Sequence, residues 1–170
     1  MNPLSSYWLD KRQEKARRMI RGSSILDVGS RSEKICADAV ALDINRSVRP
    51  DICATAEYLP LKDKSFDYIT MLEVIEHLDL AQSDRALEEC KRVATKLVLS
   101  TPNCDSKLWN GIVWPLWNHT VGREWMNAHK QFFGRRSIEE LLVQRHDMTI
   151  LERDFSRWNL LLLASTAPQT

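Results

Sequence analysis

Three acid–base side chains fall within five residues. Glu73, Glu76 and His77 occupy positions i, i+3 and i+4 of the segment EVIEHL. On a helical turn those positions share one face, so the three side chains can converge on one ion. A histidine titrates in the range useful for taking a proton from a hydroxyl or an amine, which makes His77, and His129 further along, candidate general bases. The plainer role for either one is a hydrogen-bonded surface residue. A second group lies earlier in the chain. Ile25-Leu26-Asp27-Val28-Gly29-Ser30 is an apolar run that stops at a glycine, and Asp43 closes the next apolar run, ALDI. In an open parallel sheet, ligands bind beyond the carboxyl ends of the strands, and a carboxylate at such an end can accept both hydroxyls of a ribose. Gly29, lacking a Cβ, lets the turn approach a ligand closely. The structural alternatives for these two residues are a tight turn and a helix or turn cap.

The elements that must position these groups alternate. Residues 5–21 predict a helix, with Leu9, Ala16 and Ile20 on one face and Lys11, Arg12, Lys15, Arg17, Arg18 and Arg21 on the other. Strands are expected at 24–28, 39–44, 51–54, 67–72 and 96–100. A short helix is expected near Ser32, because only 16 positions separate Asp27 from Asp43. Ala86, Leu87, Cys90, Val93 and Ala94 repeat at helical spacing. Ser137-x-x-Glu140 reads as a capping box opening a helix through about Arg145. Residues 148–154 and 160–165 form two strand-like runs with no helix between them, hence a hairpin. Strands alternating with helices predict a mostly parallel sheet covered on both faces, and the hairpin adds an antiparallel strand at one end.

Composition narrows the function. The 170 residues are 44% apolar and 28% charged, an ordinary globular balance rather than a disordered one. With 24 basic and 23 acidic residues the net charge is +1, so a whole-surface electrostatic grip on nucleic acid or anionic membrane is not indicated. The longest aliphatic run, Leu160 to Ala164, is too short to span a bilayer, and residues 1–10 lack a signal-peptide pattern, so the cytoplasm is the expected location. The four cysteines include no CxxC pair, which argues against a structural zinc site, and Cys36 and Cys90 read as reduced core residues.

Taken together, ILDVGS, ALDIN, ATAEYLPLKDKSFDYITMLEVIEHL and RVATKLVLSTPN resemble the class I S-adenosylmethionine-dependent methyltransferases, in a compact, methyltransferase type 11-like form, over roughly residues 24–103. The resemblance implies a single Rossmann-like α/β domain over 1–170. Its seven-stranded sheet would have the order 3-2-1-4-5-7-6, with an antiparallel last strand and helices on both faces. Residues 1–22 would form an N-terminal helix or lid. It further implies S-adenosylmethionine as methyl donor. Gly29, Ser30 and Arg31 would face the methionine part, Asp43 would hold the ribose, and Ile44 would lie against the adenine. Ala56 and Glu57 would meet the adenine edge, Met71, Leu72 and Glu73 would line the methyl-transfer site, and Asp27 matches the acidic residue of the first motif. Arg31 stands where the family usually has glycine, and a non-catalytic relative that keeps the fold is one alternative reading.

Glu73, Glu76 and His77, with His129 of HKQFF, also resemble the two-glutamate, two-histidine metal set of the small-RNA 3′-end 2′-O-methyltransferases, an alternative that implies a divalent ion and an RNA acceptor. EVIEHL also occurs in methyltransferases that need no metal, so neither a metal nor a nucleic acid is the expected partner. The expected acceptor is a small molecule methylated on oxygen or nitrogen. Residues 105–134 form a Trp-rich insertion on the substrate side, holding four of the six tryptophans. Trp114, Trp117 and His119 are the candidate acceptor-binding residues there. The alternatives for this stretch are a small core or a homodimer surface.

Overall fold

In a computed structural model the chain is described over residues 3–22, 24–31, 33–107 and 129–167, with backbone only for residues 3–10. A helix, α1 (Pro3–Met19), precedes a run of parallel strands: β1 (Ile25–Val28), β2 (Val40–Asp43), β3 (Ile52–Cys53), β4 (Phe66–Leu72) and β5 (Ala94–Pro102). Helix α2 (Leu80–Val93) links β4 to β5. After α3 (Arg135–Glu139), which continues as a π-helical stretch (Glu140–Arg145), the chain closes with β6 (Thr149–Phe155) and β7 (Asn159–Ser165). The seven strands order as β3-β2-β1-β4-β5-β7-β6, with β5–β7 and β6–β7 antiparallel. This is the architecture and the hairpin end that the sequence predicts.

Strand alternation divides the core into two layers. Leu26, Val28, Leu42, Ile69, Met71, Leu97, Leu99, Leu160 and Leu162 pack on one face with the buried side of α2 and with α3. Ile25, Tyr68, Val98, Leu161 and Leu163 pack on the other with Ala16 and Met19 of α1. Cys90 lies in the first layer, and burial pushes its thiol up to about 12, so it is a core residue as expected.

Two expectations change. The helix awaited near Ser32 is absent among the described residues: 33–39 are turns, and Ile35, fully buried, plugs the second layer instead. The helix expected to open at Ser137 starts two residues earlier. Asp105 accepts the Arg135 N–H at 2.7 Å, and Ser137 sits inside the first turn, its hydroxyl accepting the Gly134 N–H at 2.9 Å. The cap therefore comes from a residue thirty positions away, which local pattern does not reveal. Met71, expected at the methyl-transfer site, is fully buried in the first layer. Residues 108–128, including Trp114, Trp117 and His119, lie outside the described residues.

Register decides which groups meet at the carboxyl edge. Leu72 pairs with Ser100, and Pro102 pairs with Asn159. The turn after β4, the end of β5 and the start of β7 therefore share one rim. The Asp105 cap gives a direct check: Asp105→Ala should cost about 1 kcal/mol of stability, read as a lower denaturant midpoint with unchanged slope.

Candidate active site

The cleft begins at the end of β1. Gly29 has φ +73°, and a Cβ at this position would collide with the Val74 methyl, so the turn accepts only glycine without rearrangement. Its N–H donates to the Leu42 carbonyl at 2.7 Å, which closes the turn onto β2. Arg31 is also left-handed, with φ 52°. The glycine usual at this position in the resembled family therefore has a conformational reason, and here arginine bears the strain with its side chain exposed to solvent.

Asp43, 8% exposed, ties the two loops together. One carboxylate oxygen accepts the Arg31 N–H at 3.0 Å, and the other accepts the Asn45 N–H at 2.8 Å. Each oxygen keeps a second acceptor position, the capacity that two ribose hydroxyls need. The Ser30 hydroxyl, in the same loop, is buried without a partner among the described residues. Ile44 is 69% exposed and Tyr58 75% exposed, large apolar side chains left in water on segments assigned to the adenine. Tyr58 carries no motif of its own and was missed by sequence reasoning. Its signal is an aromatic between Glu57 and Leu59-Pro60. Glu57 itself pairs with Arg85 at 2.9 Å.

Asp27 is engaged within the fold. Its two oxygens accept the Thr70 hydroxyl and the Ile35 N–H, and burial raises its carboxyl above the usual range. It holds β1, β4 and the Ile35 turn in place from behind the cleft.

At the end of β4, Glu73 adopts φ 58°. The Ser100 hydroxyl and the Asn159 amide both donate to its Oε1 at 3.0 Å, and Arg12 of α1 faces its Oε2 at 3.6 Å. Glu73 is thereby drawn away from the other acid–base residues. Glu76, His77 and His129 do converge: one ligand atom from each lies within 4.8 Å of the others, and the two imidazole centroids are 4.6 Å apart. Residues 75–77 are a turn of 3-10 helix, and the Glu76 carbonyl accepts the N–H groups of Lys130 (2.8 Å) and Gln131 (3.1 Å). That pin, with the Gln131 amide donating to the Leu78 carbonyl and the Ser83 hydroxyl, returns a distant segment to this turn and seats His129 against His77. Neither carboxylate oxygen of Glu76 has a hydrogen-bond partner among the described residues. Burial, then the nearby Glu73 charge, raise its carboxyl well above the ordinary range. Burial, then His77, push His129 down to about 4, so its imidazole is neutral at physiological pH. Two imidazoles beside an unpartnered carboxyl are a donor set that suits a divalent ion. A separate open groove of about 660 Å³ between Leu80, Phe132, Phe133 and Leu141 includes Gln131 of that pin but none of Gly29, Asp43, Glu73, Glu76, His77 or His129.

Residues 26–97 match the methyltransferase-domain family. The whole chain superposes on a Pyrococcus horikoshii protein with a TM-score of 0.69 at 13% identity, over 99% of this chain and 93% of that one. The chain has the class I methyltransferase fold. A Thermotoga maritima S-adenosylmethionine-dependent methyltransferase matches this fold with a TM-score of 0.70 at 15% identity, over 91% of this chain and 87% of its own. The small-RNA methyltransferase HEN1 matches at 0.66 and 17% identity, over 96% of this chain but 25% of that one. An uncharacterized protein of Methanocaldococcus jannaschii is 38% identical over 85 residues, 42% of this chain. The match spans 33% of that curated relative's length. No described helix of this methyltransferase-fold chain is long and apolar enough to cross a membrane.

Two substitutions test the geometry. Arg31→Gly should stabilise the protein by up to about 1 kcal/mol, by relieving the left-handed arginine; a lower melting temperature contradicts the strain. Glu76 holds a proton more tightly folded than unfolded, so its contribution to stability falls as pH rises above the ordinary carboxylate range toward its raised value. His129 acts in the opposite sense only below about 6.5, its unfolded value, down to about 4. Glu76→Gln removes this titration, so the variant should gain stability relative to the metal-free wild type as pH rises from 5 to 8. Melts that show no such relative gain contradict it.

Proposed function

We propose that this chain is an S-adenosylmethionine-dependent methyltransferase that acts on a small-molecule oxygen or nitrogen acceptor. The observation that carries the reading is Asp43. Its carboxylate is fixed at the end of β2 by the Arg31 and Asn45 N–H groups, with one acceptor position left on each oxygen, opposite a turn that only glycine fits. The orphaned Ser30 hydroxyl in that turn is a further fit for a polar ligand.

When bound, the donor supplies a methyl group already activated by its positive sulfur. The chain's residues then align the acceptor and exclude water, which accounts for much of the rate enhancement in such displacements. Asp43 holds the ribose hydroxyls, Ile44 and Tyr58 cover the base, and Glu73 borders the methyl-transfer end. His129, pushed down to about 4, is a weak base at neutral pH, so the proton of the acceptor falls to His77. Trp114, Trp117 and His119 remain the proposed acceptor side, on sequence grounds.

The convergence of Glu76, His77 and His129 favours a second reading in place of a His77 base, a divalent ion held by these three. When bound, it lowers the pKa of an acceptor hydroxyl. The mixed carboxylate–imidazole set suits manganese, iron, zinc or magnesium.

Asp43→Ala should weaken S-adenosylhomocysteine binding by calorimetry, with each lost charge-assisted hydrogen bond worth up to about 1.5–3 kcal/mol. Unchanged affinity in a folded variant removes the ribose assignment, and a wild-type chain that binds no S-adenosylhomocysteine favours a non-catalytic relative. For the ion, manganese should raise the melting temperature of the wild type and leave His129→Ala unmoved; equal responses remove the site.

A further inference from the structure

Arg12 is the cleft's unspent cation. It projects from α1 with its side chain 17% exposed, beside a Glu73 side chain 15% exposed. A guanidinium has five N–H donors and cannot shed its charge. Among the described residues this one donates no hydrogen bond: its Nε is buried without a partner, and its single ion-pair contact, Glu73 Oε2, lies 3.6 Å away. A nearly buried guanidinium left in that state is costly unless an acceptor arrives. Glu73 is complementary in its own way. Ser100 and Asn159 both occupy Oε1, so Oε2 is the oxygen left for a cation. Opposite charges of limited exposure, side by side and loosely paired, match the two charges of an α-amino-acid group.

We propose that Arg12 and Glu73 form a receptor for an α-amino-acid group, with Arg12 taking the carboxylate and Glu73 the ammonium. The inference rests on the donor reading above. A donor whose ribose sits at Asp43 on β2 and which crosses β1 at Gly29 brings its amino-acid end to β4, where the pair stands. The same chemistry could also come from an amino-acid acceptor presented to the methyl group at that end. Arg12 was missed in the sequence because it reads as one of six basic residues on a solvated helix face. What separates it from them is the position of α1 over the sheet edge, a tertiary fact.

The test is calorimetry on the full chain, wild type and Arg12→Met, with S-adenosylhomocysteine and with 5′-methylthioadenosine, which lacks the amino-acid end. If the donor is the source, Arg12→Met loses roughly tenfold or more in S-adenosylhomocysteine affinity and stays within about twofold for methylthioadenosine, the scale of a lost charge-assisted fork. Arg12→Lys, which keeps the charge and lacks the fork, falls between. If S-adenosylhomocysteine affinity is unchanged, the second arm adds a mixture of free L-amino acids to protein saturated with it. A thermal shift present in the wild type and lost in Arg12→Met assigns the receptor to the acceptor. No difference in either arm overturns the proposal, and so does an equal loss for both nucleosides, because Arg12 then acts through the fold. A wild type that binds neither nucleoside overturns the donor reading and the receptor with it.

Discussion

The cleft depends on how two strand ends, those of β1 and β4, are forced to turn at the carboxyl edge of the sheet. Gly29, Arg31 and Glu73 all adopt left-handed backbone, with φ of 73°, 52° and 58°. Left-handed backbone costs an L-residue roughly 1–2 kcal/mol, so two of the three positions are held by surrounding contacts rather than by preference. For Arg31 the hold is its N–H on Asp43, and for Glu73 it is its own N–H on the Ser100 carbonyl. The turns in exchange bring backbone and carboxylates to the same rim, which an extended exit from β1 or β4 could not do.

The second dependency is the Glu76 carbonyl. It accepts two N–H groups from residues more than fifty positions later. That one acceptor docks residues 130–131 onto the turn after β4. It also explains why a buried carboxyl and two imidazoles coexist: the peptide contact fixes the neighbours, and the side chains accept the consequences. Glu76 is raised and His129 lowered because both are buried there, and burial favours the neutral form of each, which limits the cost of closeness. Glu73, by contrast, has its own donors from β5 and β7 and stays outside the trio.

Much of the fold was legible because its signals are local and periodic. Apolar runs of strand length, the α2 stripe ending at Val93 and the helix-free final hairpin all follow from side-chain periodicity, and the hairpin alone separates this sheet order from an all-parallel one. Gly29 and Asp43 were legible for the same reason: they punctuate strand ends. The misses are cases where distance in sequence hides contact in space. Asp105 caps a helix thirty residues on, and Ile35 replaces a helix with a plugged turn. The engagement of Asp27 by Thr70 and Ile35 is likewise hidden until the strands are paired. His129 was named as a candidate base and by resemblance, and its approach to His77 rests on the carbonyl pin.

The central claim is that a nucleoside-bearing donor lies along the rim from Asp43 past Gly29 to Glu73. Hydrogen–deuterium exchange with and without S-adenosylhomocysteine measures this most directly, because it reports each loop separately. The account predicts slowed exchange in peptides covering 29–31, 43–45, 56–58 and 73–77, with the far end of the β6–β7 hairpin, residues 149–150 and 164–165, unchanged. Slowing confined to the Leu80–Phe133 groove, or no slowing anywhere at saturating ligand, would contradict it.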